Sequence, residues 1–151
     1  MKLISLPVIA AFVGLLSLTA CGGGGTKNNF VSTEPNQPTA LQITDTVVGT
    51  GNAAQTGSVI TANYTGWLWS STASGNKGTQ FDSNAGKAPI QVTLGAGQVI
   101  KGWDQGLVGM KTGGKRTLVI PASLAYGANG NPPTIPGNSA LVFEIELLSV
   151  R

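Results

Sequence analysis

The chain has 151 residues, with nine Lys or Arg against six Asp or Glu, a formal net charge of +3, no histidine and one cysteine. The lack of histidine excludes histidine general bases, serine–histidine triads and histidine-ligated metals, and a single cysteine excludes an internal disulfide. The basic residues are scattered, Lys115-Arg116 being the only adjacent pair, so the clustered positive surface that nucleic acid requires is missing.

In chain order, Met1-Lys2 and the apolar run Leu3 to Leu18 read as a secretory signal, residues 1–20. The run contains Pro7 and Gly14 and falls short of the ~20 residues that span a bilayer. It ends in Leu18-Thr19-Ala20-Cys21, small residues before the sole cysteine, which matches a bacterial lipobox and makes Cys21 the expected lipidation site. Cleavage there leaves eight basic residues against six acidic ones, a charge of +2. Residues 21–40, with Gly22 to Gly25, Pro35 and Pro38, read as a lipidated cysteine and a flexible linker, too polar to offset the entropy of ordering. Such a linker reaches roughly 25 Å on average. The expected location is the cell envelope, membrane-anchored and facing the periplasm. Gly22 stands where an aspartate would favour inner-membrane retention, so the outer membrane is the expected side.

Residues 41–151 are enough for one domain. Leu41–Val48 reads as a first strand, and in Val59–Trp67 the residues Ile60, Ala62 and Tyr64 alternate with polar neighbours. Ser70–Gln80 is polar and Gly-containing and reads as a loop. Ile90–Leu94 is a short strand. Ile100, Trp103, Leu107 and Met110 recur at helical spacing, but Gly102, Gly106 and Gly109 keep that helix short and dependent on tertiary packing. Lys115–Ile120 is a strand. Gly127–Asn138, holding Pro132, Pro133 and Pro136, is a restrained loop. In the last strand, Leu141–Val150, Leu141, Phe143, Ile145 and Leu147 share a face while Glu144 and Glu146 point away. Several strands and one short helix give an α+β fold, a sheet covered on one face.

Two local motifs mislead. Gly109 to Lys115 nearly spells a phosphate loop, but Arg116 replaces the Ser or Thr that would meet magnesium, and a strand follows where the motif opens a helix. Asn63-Tyr64-Thr65 is a glycosylation sequon inside a strand. The informative feature is a distributed aromatic and aliphatic set, each member of which taken alone would be ordinary core. Tyr64-Thr65-Gly66, Phe81-Asp82-Ser83, Val99-Ile100-Lys101-Gly102-Trp103-Asp104, Ala125-Tyr126-Gly127 and Val142-Phe143-Glu144 follow one another in that order.

In that order and spacing, residues 41–151 resemble the FKBP-type peptidyl-prolyl cis-trans isomerases, and in particular their tethered bacterial lipoprotein members. The resemblance implies a five- to six-stranded antiparallel β-sheet wrapped around one short α-helix, with an apolar pocket between them. It implies Trp103 as pocket floor and Tyr64, Phe81, Val99, Ile100 and Phe143 as walls. The Ile100 N–H and the Tyr126 hydroxyl would be donors to ligand carbonyls, Asp82 the polar contact near the twisting bond, and Ile135 a rim residue beside Tyr126. Asp82 and Tyr126 are thus the expected catalytic residues. Such chemistry takes no cofactor and no metal. Expected partners are proline-containing polypeptides and macrolide-type inhibitors, with a membrane contact through the anchor, no nucleic acid, and a monomeric state.

The sequence departs from the family at three places: Asn131 where a histidine is frequent, a longer loop after Tyr64-Thr65-Gly66, and aliphatics in Ile90-Gln91-Val92 where an aromatic is frequent. A proline-motif binding module or holdase without turnover is the competing reading. The joint presence of Asp82 and Tyr126, which a pure binder could lose, favours catalysis.

Overall fold

Residues 30–151 are described by a computed structural model of the protein. The signal segment 1–20, Cys21 and linker residues 22–29 lie outside the described residues.

The alternation in the sequence sets the central strand. β2 (Val59–Trp69) pairs antiparallel along its length with β6 (Leu141–Val150), with Tyr64 opposite Ile145 and Gly66 opposite Phe143. Residues directly opposite share a face, so Ile60, Ala62, Leu141, Phe143, Ile145 and Leu147 form one buried surface. β5 (Lys115–Ile120) adds Leu118 and Ile120 to that surface, and β1 (Gln42–Val47) closes the edge beyond β5. On its other side β2 is shared. β3 (Lys77–Ser83) pairs with its C-terminal half and β4 (Ile90–Thr93) with its N-terminal part. The result is a six-stranded antiparallel sheet in the order β1-β5-β6-β2-β3, with β4 also on β2.

One helix, α1 (Lys101–Gly106), covers the inner face. Its glycines look like a weakness in sequence, each costing about 1 kcal/mol relative to alanine. Their purpose is close approach. A Cβ on Gly102 would stand 2.4 Å from Ile120 Cγ2, and one on Gly106 2.8 Å from Leu118 Cδ1. The helix is shorter than the apolar spacing predicts. It ends at Gly106, and a turn in which the Met110 N–H donates to Leu107 O (3.1 Å) keeps Leu107 and Met110 in the core. Arg116, at the foot of β5, pins this end. It grips Asp45 of β1 with Nε and Nη2 (2.6 and 3.0 Å) and donates from Nη1 to Gly106 O (2.8 Å).

Two expectations need correction. The polar stretch Ser70–Gln80 is not all loop, because β2 runs on to Trp69 and β3 starts at Lys77, leaving only 70–76 as connection. Exposed Thr79 and Gln80 hide the strand period; cross-strand contacts hold it instead. Lys77 lies over the Trp67 ring (4.9 Å) and pairs with Glu144. The second correction concerns residues 30–40, expected to be part of a flexible linker. They lie along the domain as a strap: Val31 bridges to Gly137, Glu34 Oε2 accepts from the Ser71 N–H and hydroxyl (3.1 and 3.2 Å), and Gln37 Oε1 accepts from the Ala140 N–H (2.6 Å).

Candidate functional site

Where α1 leaves the sheet uncovered, a cavity of about 160 Å³ opens between them. β2 supplies Tyr64, β3 Phe81 and Asp82, β6 Phe143 and α1 Trp103; Val99 and Ile100 come from the approach to α1, and Tyr126 from the loop after β5. Eight residues expected from the sequence thus meet in one place. Ile90 and Gln98 complete the lining. Ile90 is one of the aliphatics that replace a frequent aromatic, and it does form wall. Gln98, just before the Val99–Asp104 motif, is not among the site residues the sequence points to; its Oε1 accepts from the Thr93 N–H (2.8 Å) and so ties the Val99–Ile100 approach to β4.

Ile135 is the exception. It is 2% exposed and belongs to the core instead of the rim. The Asn131 N–H donates to Ile135 O (2.8 Å) and the Ile135 N–H to Asn131 O (3.0 Å). That reciprocal pair leaves Pro132 to Thr134 exposed while Ile135 turns inward.

The cavity is walled by rings set edge to face. Trp103, 3% exposed, meets Tyr64 at 5.3 Å and 83° and Phe143 at 5.4 Å and 87°, and Phe81 meets Phe143 at 5.5 Å and 86°. These geometries are the favourable ones for aromatic quadrupoles and make the walls stiff. Gly66 is what lets Phe81 and Phe143 touch. A Cβ there would stand 2.7 Å from an atom of each ring. The Trp103 Nε1–H is buried without an acceptor among the described residues, a cost carried at the pocket floor.

Asn84, which the sequence did not single out, holds Tyr64 in place. Between β3 and β4 the edge of β2 has no strand beside it, and the buried Asn84 side chain takes that position. Its Oδ1 accepts from the Tyr64 N–H (2.7 Å) and its Nδ2 donates to Ala62 O (3.1 Å). The signal was the residue type alone: a lone Asn after Phe81-Asp82-Ser83 has no periodicity to reveal it.

Polar groups gather on one side of the opening. Tyr64 donates its hydroxyl to Asp82 Oδ2 (2.6 Å), while Asp82 Oδ1 accepts from the Ser83 N–H (2.8 Å). Burial, then the bond to Asp82 and its charge, pushes the Tyr64 hydroxyl well above the ordinary tyrosine range. Burial and the Asp82 charge raise Tyr126 too. Both phenols therefore stay protonated donors at neutral pH. Among the described residues the Tyr126 hydroxyl and the Ile100 N–H have no protein acceptor, and the Ile100 carbonyl already accepts from Trp103 N–H (2.9 Å) as α1 begins. The site thus offers an apolar box and two free donors, suited to a neutral ring carrying carbonyls.

A larger depression of about 460 Å³ lies on the outer face of the sheet, between residues such as Asn63, Lys115, Glu144 and Glu146. Its carboxylates are occupied, Glu144 by Lys77 and Glu146 by Lys115 (3.5 Å), and it has no aromatic wall comparable to the inner cavity. The inner cavity is therefore the candidate site. Of the near-phosphate-loop residues, Gly109–Gly114 lie in the turns between α1 and β5 and Lys115 opens β5, away from any helix start.

Comparison with known proteins agrees. Residues 50–148 match the family model described as FKBP-type peptidyl-prolyl cis-trans isomerase. An FK506-binding protein of Neisseria meningitidis serogroup B is 50% identical over 111 residues, covering 73% of this chain and 95% of that one. A mouse peptidyl-prolyl cis-trans isomerase is 52% identical over 96 residues, 63% of this chain and 64% of its own. The crystal structure of a peptidyl-prolyl cis-trans isomerase from Pseudomonas syringae pv. tomato superposes with a TM-score of 0.62 at 35% identity, over 73% of this chain and 74% of that one. The family match takes in all eight of the cavity residues that the sequence had put forward, and on these grounds the chain belongs to the FKBP-type peptidyl-prolyl cis-trans isomerases.

Proposed function

We propose that this isomerase acts on X-Pro bonds of exported polypeptides by stabilising the twisted amide above Trp103. The observation that carries this reading is the edge-to-face aromatic box with two unpaired donors at its mouth. Rotation about an X-Pro bond faces a barrier of about 18–20 kcal/mol because it breaks amide resonance. The uncatalysed reaction takes tens to hundreds of seconds. No covalent bond changes partner, so the protein needs no nucleophile; it must hold the twisted form better than either planar one.

The twisted amide has less charge separation than the planar amide, so a dry aromatic surface favours it over water. The proline ring rests on Trp103 between Tyr64, Phe81 and Phe143. The Ile100 N–H and the Tyr126 hydroxyl donate to substrate carbonyls and fix the chain on both sides of the rotating bond. Asp82, its oxygens committed to Tyr64 and Ser83, keeps the Tyr64 ring upright and sets a fixed negative charge beside the amide as it twists. Each tenfold of acceleration needs about 1.4 kcal/mol of differential binding. The same cavity would accept a macrolide that presents a proline-like ring, consistent with relatives named as FK506-binding proteins.

We place the enzyme in the bacterial cell envelope as a monomer, lipidated at Cys21 and facing the periplasm, with the outer membrane the favoured side. What supports this is the lipobox sequence Leu18-Thr19-Ala20-Cys21 behind an apolar leader.

The roles are tested by following isomerisation of an X-Pro peptide with the purified protein and with Asp82→Ala and Tyr126→Phe. The expected result is about tenfold or more lost in kcat/KM for Asp82→Ala, and a smaller loss, mainly in KM, for Tyr126→Phe. Two folded variants with full activity would remove both assignments.

A further inference from the structure

No hydrogen bond holds the Tyr126 side chain among the described residues. The residue is 38% exposed, so the main chain on either side has a large share in deciding where its hydroxyl stands. That main chain is tied on both sides: the Ala125 N–H donates to Ala122 O (3.0 Å) before Tyr126, and two bonds follow it. The Gly130 N–H donates to Tyr126 O (3.1 Å), and the Asn138 N–H donates to Gly127 O (2.8 Å). The second bond makes the position of residues 137–140 part of the position of Tyr126.

Residues 137–140 are in turn held by the strap, and at Ala140 also by β2, whose Trp69 N–H donates to Ala140 O (2.9 Å). The Ser32 N–H donates to Gly137 O (2.8 Å) and the Gly137 N–H to Phe30 O (2.7 Å). Gln37 Oε1 accepts from the Ala140 N–H (2.6 Å), and Gln37 Nε2 donates back to Ser32 Oγ and Glu34 O (3.3 Å each), locking the strap's own curve. Glu34 fastens the strap's middle to Ser71. The strap lies wholly outside the residues 50–148 that match the family model. It nonetheless grips the segment that follows the Tyr126 loop from both ends.

We infer that Ser32 and Gln37 are positioning residues of the isomerase: through Gly137, Asn138 and Gly127, the strap sets the place of the Tyr126 hydroxyl and with it the affinity for substrate. The inference rests on the reading of Tyr126 as a donor to a substrate carbonyl. A donor that serves the planar and the twisted amide alike moves KM and leaves kcat nearly unchanged. Losing one strap joint lets the donor wander and weakens a bond of ordinary strength, so KM rises about two- to tenfold.

The test uses the full chain with Ser32→Pro, which removes the N–H given to Gly137, and Gln37→Leu, which removes the acceptor used by Ala140. Each is made alone and together with Tyr126→Phe, and kcat and KM are measured on an X-Pro peptide while NMR follows exchange of the Asn138 amide. Neither side chain belongs to the core, so the domain keeps its fold. The expected result is a raised KM with little change in kcat for both strap variants, faster Asn138 exchange, and no further rise in KM on the Tyr126→Phe background. Unchanged KM, unchanged Asn138 exchange, or a KM effect that adds in full to that of Tyr126→Phe would overturn the strap's role while leaving Tyr126 a donor. A silent Tyr126→Phe would instead remove the donor assignment, and the strap's role with it.

Discussion

Tyr64 and Tyr126 are the only two tyrosines in the chain, and both stand at the cavity. Their hydroxyls hold their protons above the ordinary value of 10.0, Tyr64 through burial and Asp82, Tyr126 through burial and the Asp82 charge. The folded form therefore binds these protons more tightly than the unfolded chain. Stability from this source is whole below pH 10 and declines as the pH rises through and beyond that value. Ultraviolet titration of the folded protein should show its tyrosinate appearing at higher pH than in the unfolded chain. A free titration of both phenols near pH 10 in the folded protein would contradict their placement. Gly66 gives a second expectation at this scale. Gly66→Ala would wedge a methyl between Phe81 and Phe143, with a cost of about 1–3 kcal/mol in urea unfolding and a loss of isomerase activity larger than the stability loss explains. An alanine variant with wild-type kcat/KM would mean the two rings need not meet. Residues of this kind were legible in sequence only in part. Tyr64, Phe81, Trp103 and Phe143 announced themselves by type and order. Asn84 did not, because plugging a gap between two strands leaves no pattern along the chain.

At the scale of elements, α1 is too short to stand on its own hydrogen bonds and depends on what is packed against it. Part of that support is Arg116, which spans β1, β5 and the end of α1. Asp45→Asn leaves the guanidinium without its counter-charge but still bonded to Gly106 and Val108, and Asp45 is 37% exposed, so the cost is about 1–2 kcal/mol and not that of a fully buried pair. The Arg116 hydrogen bond and charge hold the Asp45 carboxyl below its ordinary 3.8, outweighing desolvation. Its contribution is thus complete above about pH 4 and disappears as the pH falls through the lowered value. Urea unfolding between about pH 2 and pH 6 should show wild type and Asp45→Asn converging only at the acid end. A constant difference across that range would show that the carboxylate charge is not what matters. Elements with a strong period, β2, β5 and β6, stand where the sequence predicts them. β3 was missed because its stabilising contacts, such as Lys77 over Trp67, cross between strands and leave no alternation within either one.

For the whole molecule, sheet, helix and cavity followed from the order of five short motifs, whereas the placement of residues 30–40 did not. Composition alone made that stretch polar and Pro-rich, and only long-range hydrogen bonds to 137–140 and Ser71 hold it. The proposed anchor is tested at this scale: Cys21→Ser should move the protein from the membrane to the soluble fraction, since acyl chains supply about 0.8 kcal/mol per buried methylene. A variant that still sediments with membranes would end the lipoprotein reading. With an anchor at Cys21, the docked strap changes the mechanics of the tether. Eight residues separate Cys21 from Phe30, a contour of at most about 30 Å, whereas a leash running on to Leu41 would allow about twice that. A pull along the chain, from a membrane that drifts or a client that drags, would load the joint between Phe30, Ser32 and Gly137 before it reached any strand of the sheet. The leash and the mouth of the cavity share that fastening, so tension on one would be felt as slack in the other.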